Sequence, residues 1–377
     1  MMFKFQFIQL LKTIYRRLTR FINFIDVKII PLFALNGFFA SIYYTFFNTS
    51  FYREHLSVLR GRARYFKSLN DTSVSNVLLR RNIHRLEKGL IMQPRRSEFA
   101  KSYILETVDC YLRCLQTQES DQQELVWAKD VLSEYFAVVS TSEAEICEAN
   151  QRFLKSTNHA STSKNNAEQT TPSITWSKPY PHEALPPSSV DYTSLFTLFK
   201  RRRSVRWYQD RVVPTELIVQ AVRAASLAPS ACNRQPYRFN LFNDSDEASK
   251  VAKFAMGTAG FSDQLPCLVA VIGDLGCYPK ERDRHVIYID AALASMQFML
   301  SLETLGLSSC PINWPDIESR EKKMQSYLEL PSHERVVMLI AVGYAQPQGG
   351  VPYSQKKSPK YLLKSSSAET ASCQSMV

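Results

Sequence analysis

The feature that most constrains this chain is an interruption. From about Lys155 to Asp191 the apolar periodicity stops and Ser, Thr, Asn and Pro take over, with Pro172, Pro179, Pro181, Pro186 and Pro187 among them. Such a stretch offers no face to bury, so each side of it must build its own core, and it reads as a linker or wrapping arm. With 377 residues the chain is long enough for two units. The expected segments are 1–50, basic and apolar; 51–154, helical; 155–190, linker; 191–365, mixed helix and strand; and 366–377, a disordered Ser/Ala-rich tail.

Before the interruption the spacing is helical. Leu79, Ile83, Leu86 and Leu90 form one face, Ile104, Val108, Tyr111, Leu112 and Leu115 a second, and Leu125, Leu132, Tyr135, Phe136 and Val139 a third. Within the first, His84, Glu87 and Lys88 share a side of the helix, either to dock or hold a ligand or as a surface ion pair that Gly89 ends; the ion pair is the expected reading. Charge is uneven: residues 1–100 hold seventeen Lys/Arg against five Asp/Glu, while the whole chain carries +11. The basic excess therefore belongs to the N-terminal part, as a solvated face or as a partner for a membrane surface or another polyanion. Residues 3–24 read as a basic amphipathic helix, and Val27 to Phe47 as an apolar run near bilayer length. Cations flank that run on both sides, so an interfacial or protein-packed helix is expected before a span. Aromatics at helical spacing suit a membrane helix better than a nucleic-acid face, and no nucleic acid is expected.

After the interruption helix and strand mix, which argues an α+β fold. A helical face follows Pro214 (Leu217, Ile218, Ala221, Val222, Ala225), Asp290–Gly306 is a strongly apolar helix, and Tyr237–Phe242, Leu268–Gly273 and Val336–Gly343 read as strands. Eight scattered cysteines with no C-x-x-C pair suit buried thiols in a reducing, cytoplasmic compartment and predict neither a disulfide framework nor a structural zinc. The glycine fingerprints of dinucleotide and P-loop sites are absent, as are G-x-S-x-G and H-E-x-x-H.

Chemistry concentrates in four stretches. Arg201-Arg202-Arg203-Ser204-Val205-Arg206-Trp207 has the paired, permanently charged donors of a phosphate clamp. Ala228-Pro229-Ser230-Ala231-Cys232-Asn233-Arg234-Gln235-Pro236 offers amide side chains that both donate and accept, suited to the edge of a heterocycle. Leu305 to Trp314 follows the apolar helix, with backbone amides free to face a ligand, and Pro352 to Pro359 adds cations after the last strand. The first stretch looks like a phosphate clamp and the second like a loop that lies against a flat, hydrogen-bonding ring.

In this order the four stretches resemble the FMN-dependent nitroreductase family over about residues 191–365. The resemblance implies an α+β sandwich, a homodimer with FMN at the subunit interface, and NAD(P)H as co-substrate. It implies that Arg202, Arg203 and Ser204 hold the FMN phosphate and ribityl chain, with Lys356 or Lys357 adding charge. Arg206 matches the cation beside flavin N1/O2. Pro229, Ser230 and Asn233, with Gln235, match the loop that packs on and bonds the ring. Pro311, Ile312 and Asn313 match the segment whose backbone N–H approaches N5. A cation at N1/O2 raises the ring's electron affinity, and hydride transfer at N5 requires no side-chain acid or base. The chain departs from the family at Asn313-Trp314-Pro315, where Trp314 is placed to fill or cover the pocket, and in its helical N-terminal part. H-R-L-E-K-G-L upstream and I-N-W-P-D downstream look like nitroreductase-like proteins associated with bacterial polysaccharide biosynthesis. The implied function is an NAD(P)H-dependent flavin oxidoreductase acting on a small organic acceptor. The alternative is a non-redox scaffold or binding protein in a membrane-associated polysaccharide assembly.

Overall fold

The computed structural model describes Arg17 and residues 28–69, 75–117, 120–159 and 177–363. The amphipathic helix expected at 3–24, the middle of the linker and the 366–377 tail lie outside the described residues, apart from Arg17. The apolar run is not one continuous helix. Residues 28–33 are helical, the chain then turns, and Asn36 caps a new helix, α1 (Gly37–Ile42), by accepting from the amides of Phe38 and Phe39; a π-helical turn follows at Tyr43–Phe47.

Five longer helices come next: α2 (Tyr52–Ser68), α3 (Val77–Leu90), α4 (Ile104–Leu115), α5 (Gln122–Val138) and α6 (Ala144–His159). α3 to α6 bury a common core that includes Ile83, Leu86, Ile104, Val108, Val131, Leu132, Tyr135 and Ile146. Asn76 and Asp121 cap α3 and α5 with side-chain oxygens on free first-turn amides. On α4, Ile104, Val108 and Tyr111 are buried as expected and Cys110 and Cys114 share that buried face, whereas Leu115 is exposed. α6 continues five residues past the expected boundary at residue 154. Where described again, the linker lies along α5, with the amide of Ser177 donating to Asp130 and Lys178 pairing with Glu134. That is the behaviour of a wrapping arm.

The C-terminal part is an α+β sandwich. Strands β1 (Tyr237–Phe242), β2 (Cys267–Asp274), β3 (Ser308–Asn313) and β4 (Glu334–Gly343) form one antiparallel sheet in the order β1-β2-β4-β3. Side chains alternate between its faces. Cys267, Val269 and Val271 of β2 pack with α8 (Thr215–Ala225) and α10 (Val286–Thr304). Leu268, Ala270 and Ile272 pack on the opposite side with α9 (Ser245–Ala252) and α11 (Glu318–Tyr327). α7 (Tyr192–Arg201) and the short α12 (Pro359–Leu362) complete the set. β3, read from sequence as an irregular ligand-facing stretch, is an edge strand paired with β4, and α7, α9 and α11 were not foreseen.

α2 joins the two halves. Its buried positions, Ser57, Gly61 and Tyr65, are one turn apart, and a Cβ on Gly61 would stand 2.6 Å from Leu275 Cβ and 2.9 Å from the Leu275 carbonyl. Arg53 pairs with Glu318 at 2.7 Å and donates to Gln325, and Arg62 pairs with Glu281 and donates to the Pro279 carbonyl. Part of the basic excess that suggested a polyanionic partner is therefore occupied within the chain.

Candidate functional site

α7 ends at Arg201 with cations in its last turn, where the helix dipole favours them. Arg201 sits 3.4 Å from Glu303, a buried carboxylate in the last turn of α10. Beyond it the chain runs along the outer edge of β3. Ser204 bridges Ser309 in parallel, and the amide of Val205 donates to the Ser309 carbonyl at 3.1 Å. Tyr208 is buried and fixes the segment, its hydroxyl donating to the carbonyls of Val205 at 2.7 Å and Ala341 at 3.3 Å. Burial pushes the Cys310 thiol up in pKa, while Arg206, a hydrogen bond from Ser204, and Arg202 oppose the shift. Arg202 Nη1 is buried without a partner, as is Ser309 Oγ, whose side chain faces the side of β3 opposite to Cys310. An unpaired buried donor is costly, and an anionic oxygen at this edge would satisfy Arg202 Nη1. Arg203 donates only to the neighbouring carbonyl of Arg202, and Arg206 only to that of Ser204 among the recorded bonds.

The second stretch is a strained loop. Cys232, Asn233 and Gln235 have φ of 53°, 52° and 49°, a left-handed region that L-residues other than Asn seldom occupy. Four contacts hold it. Asp290 of α10 accepts the Ala231 amide at 2.9 Å; Ser230 Oγ accepts the Gln235 amide at 3.1 Å; Arg234 donates to the Cys277 carbonyl at 3.0 Å; and Arg80 of α3 donates to the Asn233 carbonyl at 3.0 Å. Burial raises the pKa of Asp290, with the Ala231 amide, the Tyr278 hydroxyl and Arg234 opposing. Gln235 Nε2 donates to Asn233 Oδ1 at 3.2 Å, which uses one atom of each amide.

The two stretches do not meet within one chain. Ser204 lies beside Ser309, whose register runs through Val342 to Cys267, whereas the loop enters β1 at Tyr237, opposite Gly273. From Cys267 to Gly273 is about 20 Å at ~3.3 Å per residue. α10 gives the same length, because Arg201 is anchored at Glu303 and Ala231 at Asp290. Those thirteen residues also span about 20 Å at ~1.5 Å each. The sequence reading that both stretches close round one ring is thus corrected for the single chain.

Pro311 and Ile312 lie in β3 and Asn313 ends it exposed; beyond Ser309 the outer edge of this strand has no ladder partner among the described residues. Pro229 is exposed at the head of the loop. Lys356 and Lys357 stand exposed in the extended segment after β4. Trp314 lines a small cavity with Tyr288, Asp316, Glu321 and Arg335. It is buried, its indole N–H donates to Glu321, and Arg335 approaches both Glu321 and Asp316 beside it. His84 and Glu87 form the expected pair at 3.2 Å, and Glu87 also accepts from Trp127. Sequence reasoning missed Asp290, Glu303 and Arg80. The first two are acids in an otherwise apolar helix, a usable signal; Arg80 had none beyond its place in a basic run.

The nitroreductase family model matches residues 199–264 and 255–344. The C-terminal part of this chain is a nitroreductase-family domain. An NADH dehydrogenase of Thermus thermophilus is 28% identical over 180 residues, covering 40% of this chain and 85% of its own length. Iodotyrosine deiodinase 1 of Homo sapiens is 24% identical over 209 residues, covering 47% of this chain and 69% of its own. A solved FMN-dependent nitroreductase from Clostridium difficile is 25% identical and covers 42% of this chain and 91% of that one, with a TM-score of 0.37. The nitroreductase match begins inside α7, so the helical region lies outside it. Family members are generally FMN-dependent with NAD(P)H as reductant, and are typically homodimers.

Proposed function

We propose that this protein is an FMN-dependent oxidoreductase that works as a homodimer, passing hydride from NAD(P)H to a small organic acceptor. The observation that carries the reading is the run Arg202–Arg206 laid along the edge of β3, with Arg202 Nη1 buried and without a partner. In this reading Arg202, Arg203 and Ser204 hold the phosphate and ribityl oxygens, and Arg206 keeps a positive charge near the N1/O2 edge. The free outer edge of Pro311–Asn313 offers a backbone donor to N5, and Lys356 and Lys357 add cations. Pro229, Ser230, Asn233 and Gln235 form the wall against the ring. When bound, the flavin supplies the hydride acceptor and donor.

A second copy resolves the 20 Å separation. α10 exposes an apolar stripe of Ile289, Ala292, Leu293 and Met296. α7 adds exposed Leu195, Phe196 and Phe199. An exposed apolar surface of this kind marks an interface. A two-fold axis perpendicular to α10 packs the helix antiparallel on its copy. The Glu303 end of one chain then meets the Asp290 end of the other, bringing one chain's Arg202–Arg206 to its partner's loop and making two composite sites.

The acceptor class stays at small organic molecules; relatives named as a dehydrogenase and as a deiodinase do not narrow it. The seven described cysteines are free, which supports a reducing, cytoplasmic setting. The proposal extends to a membrane surface contacted by residues 1–50, supported by basic charge and by exposed Leu32, Leu35, Phe38, Phe46 and Phe47. The link to polysaccharide biosynthesis is carried by H-R-L-E-K-G-L and I-N-W-P-D alone. Organisation into a helical unit at 51–154 and a flavin unit at 191–365 belongs to the same proposal.

One spectrum tests the core of it. The purified protein should be yellow or become so with FMN, and NADH or NADPH should bleach the band under anaerobic conditions. Protein that remains colourless after incubation with FMN sinks the reading. Flavin uptake without NAD(P)H oxidation favours the non-redox scaffold.

A further inference from the structure

The contact between Arg80 and the Asn233 carbonyl has no counterpart inside the nitroreductase match, which begins at residue 199. We propose that Arg80 is a positioning residue for the cofactor loop, so that the N-terminal helical region forms part of the site; this rests on the flavin reading above.

The geometry is that of a fixed fork. Arg80 Nη1 pairs with Glu124 Oε2 at 2.9 Å while Nε donates to the Asn233 carbonyl at 3.0 Å. The guanidinium carbon lies 5.6 Å from the centre of the Trp127 ring. The Arg80 and Glu124 side chains are only 15% and 4% exposed, so the pair is screened from solvent. Glu124 is itself held by the amide of Asn76 at 3.1 Å and the hydroxyl of Ser75 at 2.8 Å, which ties it to the start of α3. A planar guanidinium bonded on two sides has little freedom to move, unlike a lysine ammonium.

The receiving end is where such a hold matters. The Asn233 carbonyl belongs to a residue at positive φ, flanked by Cys232 and close to Gln235, both also at positive φ. Backbone in this region persists only when its surroundings over-determine it. Asp290 and Ser230 hold the loop at the amides of Ala231 and Gln235, and Arg234 ties its own position to the Cys277 carbonyl. Of these four clamps, Arg80 alone holds the Asn233 carbonyl, and it comes from another helical layer. Asn233 is also the loop residue whose amide is assigned to the cofactor. Releasing its carbonyl lets the strained segment relax and turns that amide away.

Arg80→Ala by itself leaves Glu124 buried and uncompensated, which threatens folding. The informative protein is the full chain carrying Arg80→Ala with Glu124→Gln, which removes the stranded charge but does not restore the Asn233 contact. Two readouts are taken: amide exchange of peptides covering 228–236 without cofactor, and FMN affinity by quenching of FMN fluorescence. The double variant should keep wild-type far-UV dichroism, exchange the loop amides at least tenfold faster, and bind FMN about tenfold more weakly, the loss of one net hydrogen bond. Arg80→Lys should fall between the two. A double variant with wild-type loop exchange, or with wild-type FMN affinity, overturns the positioning role while leaving the flavin reading intact. A wild-type protein that takes up no FMN overturns the flavin reading and the role assigned here with it.

Discussion

Replacing Gly61 by alanine gives a test whose sign is informative. In an isolated helix this change is favourable, because Ala exceeds Gly in helix propensity by ~0.8–1.0 kcal/mol. Here the added Cβ would stand 2.6 Å from Leu275 Cβ and 2.9 Å from that residue's backbone carbon and oxygen. Backbone cannot rotate away, so α2 must lift from the Leu275–Cys277 turn. Overpacking of this kind costs about 1–3 kcal/mol, and contact with backbone belongs in the upper half of that range. Subtracting the propensity gain leaves a net destabilisation of about 1–2 kcal/mol. At ~2–4 °C per kcal/mol the melting temperature should fall by roughly 2–8 °C. The assay is a thermal melt followed by near-UV dichroism, which reports on packed aromatics. A Gly61→Ala protein that melts at or above the wild-type temperature refutes the docking of α2, since that is how an undocked helix behaves.

Other expectations follow from the same contacts. Leu293→Glu on the exposed α10 stripe should convert a dimer to monomer by light scattering and abolish flavin retention together, because each proposed site needs both copies. Leu86→Ala, at a fully buried position of the helical core, should cost ~2–5 kcal/mol in urea unfolding. Asp290→Ala leaves the Ala231 amide without its acceptor and should cost about 1–3 kcal/mol, whereas Asp290→Asn keeps an oxygen for it and should cost less. The hydrogen bond from Arg53 holds the Glu318 carboxyl at about 2, below its ordinary 4.5. A depressed carboxyl pKa contributes stability above the unfolded value, lost as pH falls from about 4.5 towards 2. Glu318 is mostly exposed, so the effect is small, and Glu318→Gln should flatten this part of an acid titration of stability.

Much of the scaffold was legible because burial leaves a period. The strand at Tyr237–Phe242 matches its expected limits, and those at Cys267–Asp274 and Glu334–Gly343 extend theirs by one or two residues. β3 was not legible: Ser308–Asn313 carries a proline and two serines, and it is a strand because β4 supplies a ladder. α11 escaped for a related reason, since Glu318–Tyr327 is polar and its helix rests on Met324 and Glu321 packing inward. Residue chemistry singled out the Arg201–Trp207 and Ala228–Pro236 stretches. It could not give the distance between them, because neither run records where along the sheet it is anchored.

The anchoring of both half-sites on α10 has a mechanical corollary. Glu303 and Asp290 act as the two marks of a gauge whose graduations are helical residues. One residue inserted between them would swing one mark by ~100° about the axis as well as moving it by ~1.5 Å. Changes in the length of this helix therefore cannot be absorbed gradually. Only an addition near a whole number of turns would leave both marks facing the same side, so this interval behaves as a discrete quantity while the surrounding loops remain free to vary.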